Sequence, residues 1–218
     1  MSPIYIWEEY IKKIFFILFI LTIIFLVFVA CFDVDNLIST KKRAWKKIII
    51  IVEGIYSMEG DILPLKEILQ VTKKYGCYLY VDEAHSIGAL GKGGRGVCEH
   101  AGVDPNDVDI LMGTFTKSFG AVGGYIAASK EVVDFLRLHC FSFSYDTSIS
   151  VPAIQQCLSA LDVISGSDGT GLGHKRILQL RDNSNYFRAR LRSMGFHIVG
   201  DRDSPIIPLM FVPFPSKI

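Results

Sequence analysis

The sequence predicts an α/β fold in which crossover helices connect the strands of a parallel sheet. Short apolar runs rich in β-branched residues alternate with longer stretches whose apolar residues recur at helical spacing. This alternation is typical of strand–helix–strand units, which place helices over a parallel sheet. Of the 218 residues, 50% are hydrophobic and 21% are charged, which is enough apolar material for a buried core.

Four strands and four helices follow from these patterns. The strands are predicted at residues 47–52, 77–81, 108–112 and 123–127, and the helices at residues 64–75, 130–139, 151–164 and 175–194. The first strand, KIIIIV, has the continuous apolar run of a buried parallel strand. Pro64 begins the first helix and Gly76 ends it. Two further strands, at residues 196–199 and 206–212, are expected to open a smaller layer.

Two glycine-rich stretches, at residues 88–96 and 165–173, are predicted to be loops. Neither has the GxGxxG register of a dinucleotide site, and neither ends in the GK[ST] of a phosphate loop.

An apolar run at residues 14–30 contains no charged residue. With Ile11 added, it is just long enough to cross a bilayer, which takes about 17–25 apolar residues. It lacks the small-residue cleavage site of a signal peptide and is too long for one, so we expect an N-terminal hydrophobic helix that anchors the chain in a membrane. More basic residues follow the run than precede it, which favours a cytosolic position for the rest of the chain.

The composition argues against several classes of protein. A formal net charge of +1, without a basic stripe interleaved with aromatic residues, gives no case for binding nucleic acid. The five cysteines show no CxxC spacing. That pattern argues against a zinc site and against a disulfide framework, and it fits a reducing compartment.

The segment VDEAH places polar residues directly after an apolar strand. Open α/β sheets place their ligand sites at the carboxyl ends of strands. Asp82 there could be a metal ligand, a general base or the partner of a cationic ring, and His85 is close enough to face the same crevice. A capping Asp-Glu pair with a structural histidine is the alternative interpretation.

Lys117 follows the next apolar strand and favours the functional interpretation. A free lysine, with a pKa of about 10.4, is a poor nucleophile at neutral pH. A Schiff base with pyridoxal phosphate removes that problem, because it exchanges readily with an incoming amine. The hydroxyls of Thr114 and Thr116 could bind the phosphate, and Asp82 could keep the pyridine nitrogen protonated. A solvated surface lysine is the alternative.

Three strings then carry a family resemblance: VEGIYSMEGDILPL, YVDEAHSIGALGKGGRGV and MGTFTKSFGAVGGYIAAS. In this order they resemble the α-oxoamine synthase family of fold-type I pyridoxal-phosphate enzymes. The resemblance runs from residue 43 to the end of the chain. It implies the C-terminal half of an aspartate aminotransferase-like large domain at residues 43–185 and the start of a small α+β C-terminal domain at residues 186–218. Residues 1–42 show no counterpart.

The resemblance implies roles at the ring of the cofactor. Lys117 would bond to pyridoxal phosphate, and Asp82 would pair with the pyridine nitrogen. His85 would hydrogen-bond near the ring hydroxyl, and Ser57 in YSMEG would also reach the cofactor. With Lys117, His85 and Asp82 as the catalytic residues, no metal is expected.

Further roles are implied at the phosphate and at a subunit boundary. Thr114 and Thr116 would bind the phosphate. Thr147 and Ser148, in YDTS, match the place where the active site of a second subunit is completed across the dimer.

Within the family, the motifs are most similar to the lysine-bearing long-chain-base subunit of the serine palmitoyltransferases. That branch condenses L-serine with palmitoyl-CoA, with decarboxylation, to 3-ketodihydrosphingosine. It implies a heterodimer with the non-catalytic subunit, or a homodimer, at the endoplasmic reticulum membrane with the catalytic part facing the cytosol. Two alternatives stay open: another member such as glycine C-acetyltransferase, and a non-catalytic membrane-bound partner subunit. Lys117 argues against the second, because the non-catalytic subunit lacks that lysine.

We also expect a partial chain. The family's large domain begins well upstream of KKIIIIVEG, and its C-terminal domain continues past VPFPSKI. For residues 1–42, translated non-coding sequence therefore stays open as the alternative to a membrane anchor, and the chain on its own is expected to be inactive.

Overall fold

Four strands form a single sheet in the order β1-β2-β3-β4 in the computed structural model of the chain, which describes residues 47–141, 145 and 148–209. The strands are β1 (Ile49–Glu53), β2 (Tyr78–Asp82), β3 (Ile110–Thr114) and β4 (Gly124–Ala128). The four predicted strands are thus confirmed to within two residues.

The expectation that all four strands are parallel is wrong at β4. β1, β2 and β3 run parallel, whereas β4 pairs with β3 in the antiparallel sense. A parallel return needs a crossover of a dozen or more residues, usually with a helix. The connection at residues 115–123 is shorter and contains no helix, so the chain turns back beside the strand it has just left.

Within the described residues the chain forms five α-helices: α1 (Leu65–Tyr75), α2 (Gly96–Ala101), α3 (Lys130–His139), α4 (Val151–Ser165) and α5 (Leu172–Ser193). The four predicted helices are confirmed, with ends that differ by at most three residues. The short helix α2 and a 3₁₀ turn at Pro105–Asp107 were not predicted. α2 begins at the last glycine of the stretch assigned to a loop, where helix propensity is low.

Helix α1 packs one face against the sheet. It buries Leu65, Leu69 and Thr72, and its C-terminus is closed by Gly76 in the left-handed conformation, φ 61°, whose N–H donates to the Thr72 carbonyl. Glycine takes this conformation without the steric cost that a Cβ brings. The core between α1, α2 and the sheet holds the inward side chains of the first two strands, among them Val52 and Val81.

The predicted C-terminal strands do not form within the described residues. An isolated antiparallel bridge joins Ile198 and Leu209 instead. Pro205 precedes the second segment and Pro208 lies within it, and neither has an N–H to donate to a ladder, which limits pairing there. Residues 210–212 of the predicted strand lie outside the described residues.

Within the part of the chain that the structure describes, no helix is long and apolar enough to cross a membrane. The apolar run at residues 14–30, where such a helix is predicted, lies outside that part.

Candidate functional site

The carboxyl edge of the parallel strands gathers the residues that the sequence analysis singled out. Glu53, at the end of β1, pairs in register with Asp82, at the end of β2. Asp82 in turn lies opposite Met112, two residues before Thr114 ends β3. Neighbouring parallel strands therefore present their polar ends to one side of the sheet, the usual place for a ligand in an open α/β fold.

A tight turn follows Asp82 and fixes its direction. The Ala84 amide donates to Asp82 Oδ1 at 2.7 Å. The Ser86 and Ile87 amides both donate to the Glu83 carbonyl, at 3.0 and 2.9 Å. The Glu83 amide donates to the Met112 carbonyl at 2.7 Å, so the turn stays attached to β3.

His85 lies in this turn, half-buried, and its surroundings favour the neutral imidazole. Burial lowers its pKa, the positive charge of Lys117 lowers it further, and the negative charge of Asp82 acts in the opposite direction. Both charges act on the ring because they are close to it. The charges of Asp82 and Lys117 therefore both reach His85, and the cofactor roles of the three residues stay a prediction.

Lys117 lies in the loop between β3 and β4, residues 115–123 (the lysine loop). A backbone hydrogen bond and a buried aromatic side chain fix the conformation of this loop. The Gly120 amide donates to the Lys117 carbonyl at 3.0 Å. Phe119 is only 3% exposed and packs edge-on against Phe115, with ring centroids 5.2 Å apart, so it anchors the loop in the core. Lys117 itself is exposed, and among the described residues its ammonium has no hydrogen-bond or ion-pair partner. It lines a groove of about 550 Å³ together with residues of α4 and α5.

Ser118 ties the lysine loop to the turn that carries His85. Its hydroxyl donates to the Ile87 carbonyl at 2.8 Å, across 31 positions of sequence. A Cβ on Gly88 would lie 2.5 Å from the Ser118 Cβ, so a larger residue at position 88 would push the two segments apart.

The predicted phosphate-binding threonines contact each other. The Thr114 and Thr116 hydroxyl oxygens are 2.7 Å apart, and the Thr114 hydroxyl donates to the Gly123 carbonyl at 3.1 Å. The Thr116 amide donates to Thr114 Oγ1 at 3.2 Å. This network shapes the first turn of the lysine loop.

Ser57 lies beyond the end of β1, beside Glu53. Its amide donates to Glu53 Oε2 at 3.0 Å, and its side chain is exposed. Burial raises the pKa of the Glu53 carboxyl, the Ser57 hydrogen bond opposes this, and the nearby charge of Asp82 raises it further. Ser57 therefore lies at the same edge as Asp82.

Two predicted residues are not joined to this group. Ser148 is exposed shortly before α4, and none of its described contacts reaches the lysine loop. Thr147 lies outside the described residues.

Glu83, which is 3% exposed and lies between Asp82 and His85 in the turn, was not predicted as a buried residue. A solvated or capping Asp-Glu pair was only the alternative interpretation of VDEAH. Glycines at positions 54 and 96 were the available signal, because a Cβ at either would lie within 3.2 Å of a Glu83 carboxylate oxygen.

Chemically, the arrangement offers an exposed primary amine on an anchored loop, beside a carboxylate and a neutral imidazole. An amine of this kind can bond to an aldehyde, and the carboxylate can hold a cationic ring.

Comparison with known proteins agrees with this chemistry. Residues 26–214, which begin upstream of residue 43, match the family model described as aminotransferase class I and II. Over 176 residues the chain is 64% identical to long chain base biosynthesis protein 2b of Oryza sativa subsp. japonica, an alignment covering 81% of this chain and 35% of the rice protein.

Solved structures give the same result. Sphingomonas wittichii serine palmitoyltransferase superposes with a TM-score of 0.69 at 34% identity, over 77% of this chain and 41% of that one. A structure of SPT with a PLP internal aldimine gives a TM-score of 0.65 at 32% identity, over 75% and 39% of the two chains. The chain spans about a third of the length of the rice relative. By the match over residues 26–214, the chain belongs to the class I and II aminotransferase family.

Proposed function

We propose that the chain carries the lysine half of a pyridoxal-phosphate site that condenses L-serine with palmitoyl-CoA, with decarboxylation, to 3-ketodihydrosphingosine. The observation that carries this proposal is the convergence of Asp82, His85 and Lys117 at one edge of the sheet. The similarity to proteins named for long-chain-base biosynthesis and serine palmitoyltransferase supports the choice of reaction. Because the chain covers about a third of the rice relative, the full reaction is proposed for the assembled protein.

Lys117, Asp82 and His85 fit the pyridine ring of pyridoxal phosphate and its aldehyde. Lys117 offers its exposed amine to the aldehyde. Asp82 uses Oδ1 to accept the Ala84 amide, and its Oδ2 has no partner among the described residues, so it can accept a pyridinium N–H. His85, held neutral, can donate to the ring oxygen from one nitrogen. The cofactor supplies an electron sink for the negative charge that develops at the substrate α-carbon.

The hydroxyls of Thr114 and Thr116 fit the phosphate group of the cofactor once their present hydrogen bonds rearrange. The Thr114 hydroxyl donates to the Gly123 carbonyl, and a phosphate needs that donor for itself. Rotation of the hydroxyl would release the carbonyl, and the Thr116 hydroxyl could turn with it because the two oxygens are in contact. Both threonines are therefore proposed as phosphate ligands, with Ser57 beside Asp82 as a further contact to the cofactor.

The remaining parts of the proposal concern the assembly. We propose a dimer with a second, non-catalytic subunit or with another copy, in which Thr147 and Ser148 complete the neighbouring site. We propose attachment to the endoplasmic reticulum membrane through residues 14–30, with the site on the cytosolic side. The absence of charge in that run supports the anchor.

Lys117 can be tested directly. The purified chain is mixed with pyridoxal phosphate, reduced with borohydride and digested, and the peptides are analysed by mass spectrometry. We expect the reduced cofactor on Lys117, and no stable visible absorbance band in Lys117→Ala. Lys92→Ala is the matched control, because Lys92 is an exposed lysine in the neighbouring glycine-rich loop. A Lys117→Ala protein that keeps the band, or a label spread equally over surface lysines, would refute the assignment.

The substrate is tested separately on the lysine-bound band. L-serine should change its spectrum at lower concentration than glycine does. The assembled protein should then consume palmitoyl-CoA in preference to acetyl-CoA. Preference for glycine and acetyl-CoA would instead support a glycine C-acetyltransferase.

A further inference from the structure

Glu83 is a nearly fully buried acid that the proposed chemistry does not use. It is 3% exposed, and both of its carboxylate oxygens accept hydrogen bonds. The Val97 amide donates to both oxygens, at 3.1 and 3.0 Å, and the Ser86 hydroxyl donates to Oε2. A buried acid with these partners holds its neighbours in place. Breaking any one of its hydrogen bonds would leave a polar group buried without a partner.

The surrounding backbone leaves room for this carboxylate and for little else. A Cβ on Gly96 would lie 2.3 Å from Glu83 Oε2, and Gly96 has φ 80°. A Cβ on Gly54 would lie 2.4 Å from the Ser86 hydroxyl oxygen. Gly54, directly after β1, and Gly96, at the start of α2, therefore both approach the bonded side chains of Glu83 and Ser86, so the turn packs closely against both segments.

The same residue also fixes the turn through its main chain. Its amide is bonded to β3, and its carbonyl accepts the amides of Ser86 and Ile87. The Ile87 carbonyl then accepts the Ser118 hydroxyl, one residue from Lys117. A short chain of hydrogen bonds thus runs from Glu83 to the lysine loop, with Asp82 and His85 on either side of its first member.

We propose that Glu83 is a positioning residue, which acts through its hydrogen bonds to Ser86 and Val97 to hold Asp82 and His85 beside Lys117. The inference rests on the proposed cofactor site and adds a residue that does not itself touch the cofactor. Without these bonds, the turn at residues 82–87 loses its attachment to α2. Asp82 and His85 then move relative to the ring that they are meant to hold.

The test measures the pH at which the absorbance band of lysine-bound pyridoxal phosphate changes, because this midpoint depends on where Asp82 lies. In Glu83→Ala we expect the midpoint to rise by about one pH unit, since a displaced Asp82 no longer keeps the pyridine nitrogen protonated and the imine nitrogen then holds its own proton to higher pH. Glu83→Gln should restore most of the wild-type midpoint. Its amide oxygen can accept from Val97, and its NH₂ can donate to Ser86.

Glu99→Ala is the matched control. Glu99 also accepts backbone amides in the glycine-rich loop, from Gly93 and Arg95 at 2.9–3.1 Å, but it has no contact with the turn at residues 82–87 among the described contacts. Its loss should lower the melting temperature and leave the midpoint unchanged. A merely structural role for Glu83 would make Glu83→Ala behave in the same way.

The outcomes separate clearly. An unchanged midpoint in Glu83→Ala, or the same shift in Glu83→Gln as in Glu83→Ala, would overturn the proposal. If Glu83→Ala does not fold, Ser86→Ala decides: we expect a smaller upward shift of the midpoint, and a folded protein with the wild-type midpoint would contradict us. A wild-type chain that forms no lysine-bound band would refute the proposed function, which is a different result from a wild-type band with insensitive variants.

Discussion

At the scale of single residues, the burial of Glu83 makes the stability of the fold depend on pH. Burial raises the pKa of its carboxyl, and the hydrogen bonds from Ser86, Val97 and Cys98 offset only part of this increase. A folded-state pKa above the unfolded one means that the folded protein binds the proton more tightly. This contribution to stability is fully present below the unfolded pKa and is lost as the pH rises through the folded pKa.

We therefore expect Glu83→Gln to change how stability depends on pH. Between about pH 4 and the raised pKa, the wild-type chain should lose unfolding free energy relative to the variant, because only the wild type must ionise a buried acid. Urea unfolding of both proteins across this range measures the difference. Two curves that stay parallel at every pH would contradict the assignment of the raised pKa to Glu83.

The sequence singled out the candidate reactive residues and passed over the residues that fix the loops around them. Lys117, Asp82 and His85 lie in recognisable motifs directly after strands, and the structure brings them together. Glu83 and Ser118 occupy the same motifs, but their roles depend on contacts with Val97 and Ile87, 14 and 31 positions away. Hydrophobic periodicity carries no information about such contacts.

At the scale of elements, the pairing of β3 with β4 depends on a close approach. Gly113 lies opposite Tyr125 in the register, and a Cβ on Gly113 would lie 2.4–2.5 Å from three atoms of the Tyr125 ring. That ring also packs against Phe115 at 5.4 Å between centroids. The glycine thus lets the ring lie over β3 and reach the loop that carries Lys117.

Gly113→Ala should destabilise the chain by about 1–3 kcal/mol, because the ring must move out of a packed position. Chemical denaturation measures the loss. In a double-mutant cycle with Tyr125→Leu, which removes the atoms in the way, most of that cost should disappear. Equal costs of Gly113→Ala in the presence and absence of the Tyr125 ring would show that the clash is not its cause.

The pattern of apolar residues predicts where β4 lies in the sequence but not whether it runs parallel or antiparallel to β3. The position of the strand follows from its composition, but its direction depends on whether residues 115–123 form a crossover helix or a tight return. The buried Phe119 and the contacts of Ser118 hold the return in place, and both are tertiary interactions. Helices with a clear apolar face, such as α1 and α3, were predicted to within one residue because their signal is local.

At the scale of the whole molecule, the segment after α5 is held against the loop that follows β1. Asp201 Oδ2 accepts the Ile62 amide at 2.8 Å, and the Asp201 amide donates to the Gly60 carbonyl at 3.2 Å. A Cβ on Gly200 would lie 2.7 Å from the Glu59 carbonyl oxygen. The loop after β1 also carries Ser57, so the C-terminal segment supports one side of the candidate site.

Arg188 of α5 stabilises this contact. It is 3% exposed and donates to the carbonyls of Val199 at 2.6 Å, Gly200 at 3.2 Å and Ile206 at 2.9 Å. Arg188→Leu would remove this donor from three partly buried carbonyls, of which Ile206 keeps only the Ser204 hydroxyl at 3.4 Å. Since each unsatisfied group costs about 1–3 kcal/mol and part of the segment can relax, we expect a loss of about 3 kcal/mol in the free energy of unfolding.

Arg190→Leu is the matched control, because Arg190 is an exposed arginine of the same helix and should change stability by no more than about 0.5 kcal/mol. Hydrogen exchange locates the effect. In Arg188→Leu the Ile62 amide should lose protection together with the segment around residue 200, because its acceptor is Asp201. Amides in the middle of β2 should change only through the global loss of stability. If Ile62 keeps its protection while the chain is destabilised, Arg188 supports α5 alone, and the C-terminal segment is attached to the β1 loop by other contacts.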